Sequence, residues 1–240
     1  LVKEQLPEVS ADNILAEPIH RNTAPSMAWA NHRISMMNPN ACVIATPSDQ
    51  AIFNEEAFRK NVLEGLAFVA ENNHFLTMGV KPTRPEPGYG YIQMGDVLCD
   101  NIYQVQSFTE KPERDFAKIF MESGEFYWNT GLFLSNVSYL RKCFCKILPP
   151  VLREYDKRYP EFSVETENAY MKETFSSYPN ISVDFGILEK PSNVCVMKCD
   201  FGWADLGTWH SIYEAMQKGS NDNVIVDSDV LMEDCHNTVV

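Results

Sequence analysis

Cys42-Val43-Ile44-Ala45-Thr46 is a compact β-prone run, and Pro47-Ser48-Asp49-Gln50 ends it. An apolar run of this length, closed by a proline, predicts a buried strand. From Asn54 to about Asn73, Phe58, Val62, Leu66 and Val69 recur at helical spacing, and Phe75-Leu76-Thr77-Met78-Gly79-Val80 then forms a second apolar run. Strand, helix and strand in that order predict an α/β domain with a mostly parallel sheet and helices on both faces. In such a sheet ligands gather beyond the carboxyl ends of the strands. Asp49 falls there, where a carboxylate can hold a metal or accept a proton. It can equally cap the following helix, and on this stretch alone both readings stand.

Working outward, Met27, Ala30, Ile34 and Met37 mark an earlier helix that Asn22 or Thr23 can cap. Residues 81–96 crowd Pro and Gly together and read as a loop lying over a site. Ile102–Phe108 reads as a strand, 113–123 as a helix closed by Gly124, and Gly131–Ser135 as a strand. Helical segments run from about 136 to 176, broken by Pro149-Pro150 and Pro160; Val194–Cys199 returns to the sheet and Trp209–Gln217 is helical. After residue 219 the texture changes to short β runs separated by Asp and Asn. The expected organisation is one domain over 1–219 and the start of a second β unit over 220–240.

The bulk properties narrow the function. The chain has 240 residues, 45% of them hydrophobic, and a formal net charge of −13. That charge argues against nucleic acid or an anionic membrane as partner, and no apolar run is long enough for a membrane span. Seven cysteines, an odd number with no C-x-x-C, fit reduced thiols in a cytoplasmic protein better than a zinc site or disulfides. The five histidines are scattered.

Four further motifs sit where chemistry is expected. Phe201-Gly202-Trp203-Ala204-Asp205-Leu206-Gly207-Thr208-Trp209 follows a buried strand and brackets one carboxylate with glycines and tryptophans. Asp205 either satisfies its own turn or joins Asp49 at the same sheet edge, and two carboxylates meeting there suit Mg²⁺. Glu110-Lys111-Pro112 offers an acceptor for sugar hydroxyls and a charge for a phosphate; a surface ion pair explains it equally well. Trp128-Asn129-Thr130-Gly131 supplies an amide that can donate to and accept from hydroxyls, or is an ordinary turn. Arg21-Asn22-Thr23 stands at a helix N-terminus, a natural anion or base-contact site, or a plain capped start.

Each motif is modest alone, but their order is specific. E-P-x-x-R-N-T-A-P, P-S-D-Q, P-x-P-G-Y-G-Y-I, F-x-E-K-P, W-N-T-G and F-G-W-A-D-L-G-T-W together resemble the mannose-1-phosphate guanylyltransferases, a branch of the sugar nucleotidyltransferases, over nearly the whole chain. Ile181–Lys190 resembles that family's I-S-I-D-Y-x-x-M-E-K, with Val183, Phe185 and Leu188 substituted. The resemblance implies a Rossmann-like domain, Mg²⁺ as cofactor, and GTP and mannose 1-phosphate as substrates giving GDP-mannose and pyrophosphate. It implies Mg²⁺ ligation by Asp49 and Asp205, nucleotide contacts by Arg21, Asn22 and Thr23, and sugar contacts by Gly90, Glu110 and Asn129. Lys111 would neutralise the sugar phosphate; Asp184 and Lys190 would be supporting residues. A homodimer is allowed.

The same family carries a glycine-rich G-G-x-G-x-R-L segment that grips the nucleotide phosphates, and the 240 residues hold no such segment. The expectation is therefore a chain that is inactive alone, within a longer enzyme whose next unit begins a left-handed β-helix. The rival expectations are a glucose-1-phosphate nucleotidyltransferase and a non-catalytic nucleotide-sugar-binding homologue.

Overall fold

The computed structural model describes residues 1–189 and 193–240. Lys190, the last residue of the Ile181–Lys190 motif, lies outside the described residues. The strands are β1 (Cys42–Ala45), β2 (Gln50–Ile52), β3 (Phe75–Val80), β4 (Tyr91–Cys99), β5 (Ile102–Thr109), β6 (Phe126–Asn136), β7 (Val194–Cys199) and β8 (Trp203–Asp205). The helices are α1 (Val2–Gln5), α2 (Thr23–Met37), α3 (Glu55–Glu71), α4 (Arg114–Ser123), α5 (Val137–Ile147), α6 (Pro149–Arg158), α7 (Val164–Thr174) and α8 (Trp209–Ala215).

Six strands form one mixed sheet in the order β1-β6-β3-β7-β5-β4, and β2 with β8 forms a separate two-stranded ribbon. The sheet is mixed and helix-flanked as expected, but the expectation of mostly parallel pairing needs correction. Only β3 and β7 pair in parallel; the other described pairings of the sheet are antiparallel. β1 and β3 do run in the same direction, because β6 inserts between them and is antiparallel to both. Trp128–Gly131 belongs to β6 rather than to a turn before it, and residues 91–96, read as loop, open β4.

The pleat divides the core. On β7, Val194 and Val196 face one side while Cys195, Met197 and Cys199 face the other. The first side packs under α2, α5 and α6 through Ala24, Ala28, Leu140, Phe144, Leu148 and Leu152. The second packs under α3 and α4 through Val69, Ala117, Val62 and Leu66. Caps set the helix starts: Asn54 Oδ1 accepts from Ala57 N at 3.0 Å, Asn136 Oδ1 from Tyr139 N at 2.8 Å, and Ser163 with Thr166 forms a capping box. Gly124 closes α4 in the left-handed region, φ 73°.

A third cluster, Trp29, Tyr155, Met171, Phe175 and Tyr178, joins α2 to α6 and α7. Inside it the Glu167 carboxylate, only 4% exposed, accepts from Trp29 Nε1 at 2.7 Å and from the Tyr155 hydroxyl and the Arg33 guanidinium. His32 is buried beside it, with Arg141 bonded to its ring and Asp156 Oδ1 3.3 Å away. Burial, then the Arg141 charge, lowers the His32 pKa to about 4 against the opposing pull of Asp156 and Glu167. The folded value lies below the unfolded one of about 6.5, so His32 is neutral in the fold. As pH falls from about 6.5 towards about 4, the unfolded chain binds a proton that the folded chain refuses, and stability drops through that window. Replacing His32 by Gln is expected to flatten this part of the urea-midpoint-against-pH curve. An unchanged slope would show that His32 does not contribute.

Residues 220–240 contain no strand. They are held by a parallel bridge between Val224 and Val239, with Val224 N to Thr238 O at 2.8 Å and Val240 N to Val224 O at 2.9 Å. Among the described residues no helix is long and apolar enough to cross a membrane.

Candidate functional site

A cleft of about 600 Å³ opens at the carboxyl ends of β1 and β5, against the first half of β6. It is lined by Asn22, Thr23, Asp49, Gly90, Glu110, Lys111, Asn129 and Asp205, together with Gln50, Tyr89, Asp184 and Trp203. Of the expected site residues among those described, Arg21 alone does not line it. Its guanidinium donates to the Ser176 carbonyl and ties the start of α2 to the segment after α7.

Asp49 and Asp205 are 156 positions apart in the chain. The ribbon closes that distance: Gln50 pairs with Asp205 and Ile52 with Trp203, and Leu206 N donates to Asp49 O at 2.9 Å. The Asp205 carboxylate keeps its turn, accepting from Gly207 N at 3.1 Å, while still facing the cleft. The turn reading of Asp205 therefore holds, and the residue lines the same cleft as Asp49. Asp49 does not cap α3, because Asn54 does. Among the described residues no group of three or more His, Cys, Asp or Glu side chains is gathered tightly enough to hold a metal by itself. A pair of carboxylates suits a hard divalent ion that keeps several waters and shares substrate oxygens, rather than a zinc cage.

The opposite wall is built on β4, β5 and β6. Asn129 N donates to Gly90 O at 2.8 Å, and Lys111 N to Tyr89 O at 3.2 Å. This packs the Gly88–Gly90 turn against Glu110 so closely that a Cβ on Gly90 would stand 2.8 Å from Glu110 Oε2 and 2.9 Å from the Phe108 ring. A side chain here would displace the Glu110 carboxylate and press on the Phe108 ring, so glycine suits the close approach rather than its dihedral angles. The Lys111 backbone is left-handed, φ 48°, a conformation that costs a non-glycine residue about 1 kcal/mol or more. Its ammonium lies 3.7 Å from Glu110 Oε1 and stays mostly exposed. Burial, and then the Asp184 charge, raise the Glu110 pKa; Lys111 counters them. Burial also raises the Asp184 pKa, against hydrogen bonds from its own backbone and from Asn129.

At the third wall, the N-terminus of α2 is not an open anion site. Thr23 N is taken by Asn22 Oδ1 at 3.0 Å, Ala24 N by Ile181 O at 3.1 Å, and residue 25 is a proline without an N–H. Thr23 Oγ1 is itself used, accepting from Val183 N at 2.9 Å. The anion reading of this terminus therefore falls. Asn22 keeps its place on the cleft wall, in a left-handed backbone with φ 67°.

Sequence reasoning did not assign Gln50 or Tyr89 to the site. Gln50 donates from Nε2 to Thr130 O at 2.5 Å and so joins the ribbon to β6. Tyr89 is held edge-on by Trp128 and Trp203, with ring centroids at 5.1 and 5.2 Å. Its position inside the G-Y-G motif was the only available signal.

A family model described as nucleotidyl transferase matches residues 2–222. A protein named mannose-1-phosphate guanylyltransferase from Salmonella montevideo is 34% identical over 254 residues, which cover 99% of this chain and 51% of its own length. The alginate biosynthesis protein AlgA of Pseudomonas aeruginosa is 34% identical over 248 residues, covering 100% of this chain and 50% of its own. The chain thus spans about half the length of the curated relatives it matches. Among solved structures, one named mannose-1-phosphate geranyltransferase from Thermus thermophilus superposes with a TM-score of 0.77 at 26% identity, over 88% of this chain and 60% of that one. A UDP-glucose pyrophosphorylase complexed with UDP-glucose shares the fold at a TM-score of 0.52 and 9% identity, over 84% of this chain and 62% of that one. With the family match running over almost all of its length, the chain belongs to the nucleotidyl transferase family.

Proposed function

We propose that the chain carries the sugar-phosphate and divalent-cation sites of a mannose-1-phosphate guanylyltransferase, which joins GTP and mannose 1-phosphate to give GDP-mannose and pyrophosphate. The observation that carries this reading is the meeting of Asp49, Asp205, Gly90, Glu110, Lys111 and Asn129 on one cleft. The names and identities of the relatives support it.

A phosphate oxygen of the sugar attacks the α-phosphorus of the nucleotide, and the bond from that phosphorus to the bridging oxygen of pyrophosphate breaks. The nucleophile is already an anion, so no side chain has to take a proton. Bringing two anions together is the difficulty, and positioning and electrostatics must solve it. Mg²⁺, when held by Asp49 and Asp205, would supply Lewis-acid charge neutralisation at the phosphates. Lys111, exposed and only loosely paired to Glu110, is free to swing its ammonium onto the incoming phosphate. Glu110 accepts from a ring hydroxyl, Asn129 donates to one, and Gly90 lets the ring lie against the backbone. Asn22, with Thr23 behind it, contacts the nucleotide base through an amide rather than through helix N–H groups. Arg21 holds that corner of α2 in place.

Residues 1–219 are read as the catalytic domain and 220–240 as the opening of a β unit. The parallel Val224–Val239 bridge, at a 15-residue spacing, supports that reading, because stacked coils of a β-solenoid pair in parallel. A cytoplasmic setting suits the free cysteines.

The test is pyrophosphate release by the full natural chain with GTP and mannose 1-phosphate, set against UTP and glucose 1-phosphate. A clear preference for the second pair would favour the glucose-1-phosphate enzyme, and binding without release would favour a non-catalytic homologue. Gly90→Ala is expected to weaken mannose 1-phosphate binding, measured by calorimetry, by about tenfold to a hundredfold, because the methyl displaces Glu110. Unchanged affinity would remove Gly90 and Glu110 from the sugar site.

A further inference from the structure

Asn129 stands where β6 kinks between Thr77 and Gly79 of its partner strand, and most of its amide is already engaged. Its Oδ1 accepts from Thr77 Oγ1 at 2.9 Å and from Gly131 N at 3.2 Å. Its Nδ2 donates to Asp184 Oδ1 at 2.9 Å. The Gly131 partner fixes the amide orientation by itself, because a backbone N–H can only donate, and the Asp184 carboxyl oxygen is the matching acceptor on the other side. A flipped amide would set NH₂ against N–H and a carbonyl against a carboxylate, so the assignment does not rest on appearance. With both Oδ1 lone pairs engaged, Asn129 retains a single proton for a ligand.

The partner at the far end is held just as firmly. Asp184 opens a π turn over Asp184–Leu188 and lines the same cleft as Glu110. The residue before it, Val183, is pinned by Thr23 Oγ1. Thr77, fully buried on β3, anchors the near end and donates its hydroxyl proton to Asn129. The chain Thr77–Asn129–Asp184 therefore crosses from the sheet core to the segment that docks α2.

We propose that Asp184 is a positioning residue that locks Asn129 as a one-way donor, so that this wall selects a sugar phosphate by a ring hydroxyl that accepts from Asn129 while donating to a neighbouring carboxylate. An amide free to rotate would accept or donate alike and would tolerate either hydroxyl orientation. A locked one discriminates, because a mismatched hydroxyl leaves a buried polar group unpaired. The proposal rests on the sugar-phosphate reading of the cleft.

Two measurements on the full natural chain test it. The first needs no ligand: the side-chain amide protons of Asn129 in uniformly ¹⁵N-labelled protein. They are expected to shift in Asp184→Asn, while the backbone amides of β3 and β6 away from Asn129 stay in place. The second is calorimetric binding of mannose 1-phosphate and its monodeoxy analogues. Asp184→Ala, which removes the acceptor of Asn129 Nδ2, is expected to weaken mannose 1-phosphate by about tenfold or more, as for a hydrogen bond to a charged group, and Asp184→Asn, which keeps an oxygen there, by less. That loss should vanish for the one analogue lacking the hydroxyl that Asn129 reads. Equal loss for every analogue, or Asn129 protons indifferent to the substitution, overturns the proposal. If the Asn129 protons respond but the wild-type chain binds none of the sugar phosphates, the sugar-phosphate reading fails and the selection proposed here fails with it.

Discussion

Asp205→Asn in the full natural chain is expected to lower GDP-mannose formation by on the order of a hundredfold to a thousandfold, the usual consequence of removing one preorganised electrostatic group from a phosphoryl or acyl transfer site. The substitution keeps an oxygen at Oδ1, so the hydrogen bond from Gly207 N survives and the turn is retained. The ribbon is held by backbone pairing of Gln50 with Asp205, which is indifferent to the side chain. What is removed is one of the two negative charges that the ribbon brings to the cleft. Asp49→Asn should behave alike, since its backbone carbonyl, not its carboxylate, bonds Leu206. Unfolding midpoints within experimental error of wild type, together with the lost product, distinguish a site effect from a folding effect. Near wild-type turnover in either variant would remove that residue from the cation site.

The largest expected effect on stability lies far from those aspartates, at Glu167. Its carboxylate is the shared acceptor of Trp29, Tyr155 and Arg33 inside the cluster that binds α2 to α6 and α7. Glu167→Ala leaves an indole N–H and a phenol without this acceptor, and a nearly buried guanidinium with only the Asp12 carbonyl. Breaking one side of a buried pair in this way costs about 3–5 kcal/mol. Glu167→Gln keeps the volume and one acceptor oxygen, so its loss should be smaller. Urea denaturation of both variants provides the check, and a loss below about 1 kcal/mol for the alanine variant would show that the network is not a stabilising feature. Because α2 carries Asn22 and Thr23 to the cleft, the same variant should also weaken nucleotide binding.

How much of this was legible in the sequence depends on the physical range of each signal. Local signals were sufficient for α2, with Asn22 one of its two cap candidates, for α3, whose start near Asn54 stands where it was read, for α4, closed by Gly124, and for β1, β3 and β7, whose apolar runs are continuous. Pairing partners were not legible. Nothing local announces that β6 inserts antiparallel between β1 and β3, because pairing depends on contacts from distant parts of the chain. Trp128–Gly131 looks like a turn since Gly131 has a left-handed φ of 74°, yet the strand runs through it as an irregularity in register. β4 was hidden for a similar reason: Gly95 and Asp96 interrupt its alternation, and the strand indeed shifts register there.

The site followed the same division. That Asp49 and Asp205 line one cleft was readable because each follows a strand-like run, and the ends of strands running in one direction lie at one edge of the sheet. The α2 terminus looked like an anion site from its position alone. It is not one, because Ile181, 157 residues downstream of Ala24, accepts the N–H that an anion would need. Only the tertiary fold could show that, and only the tertiary fold could tie Asn129 to Asp184.

The cation site is tested most directly with Mn²⁺ as a paramagnetic stand-in for Mg²⁺, titrated into the ¹⁵N-labelled 240-residue chain. Amide signals of residues 48–50 and 204–207 are predicted to broaden first, excess Mg²⁺ to restore them, and Asp205→Asn to abolish the effect. Broadening centred on any other acidic stretch, or broadening at the ribbon that persists in Asp205→Asn, would contradict the assignment of the cation to Asp49 and Asp205.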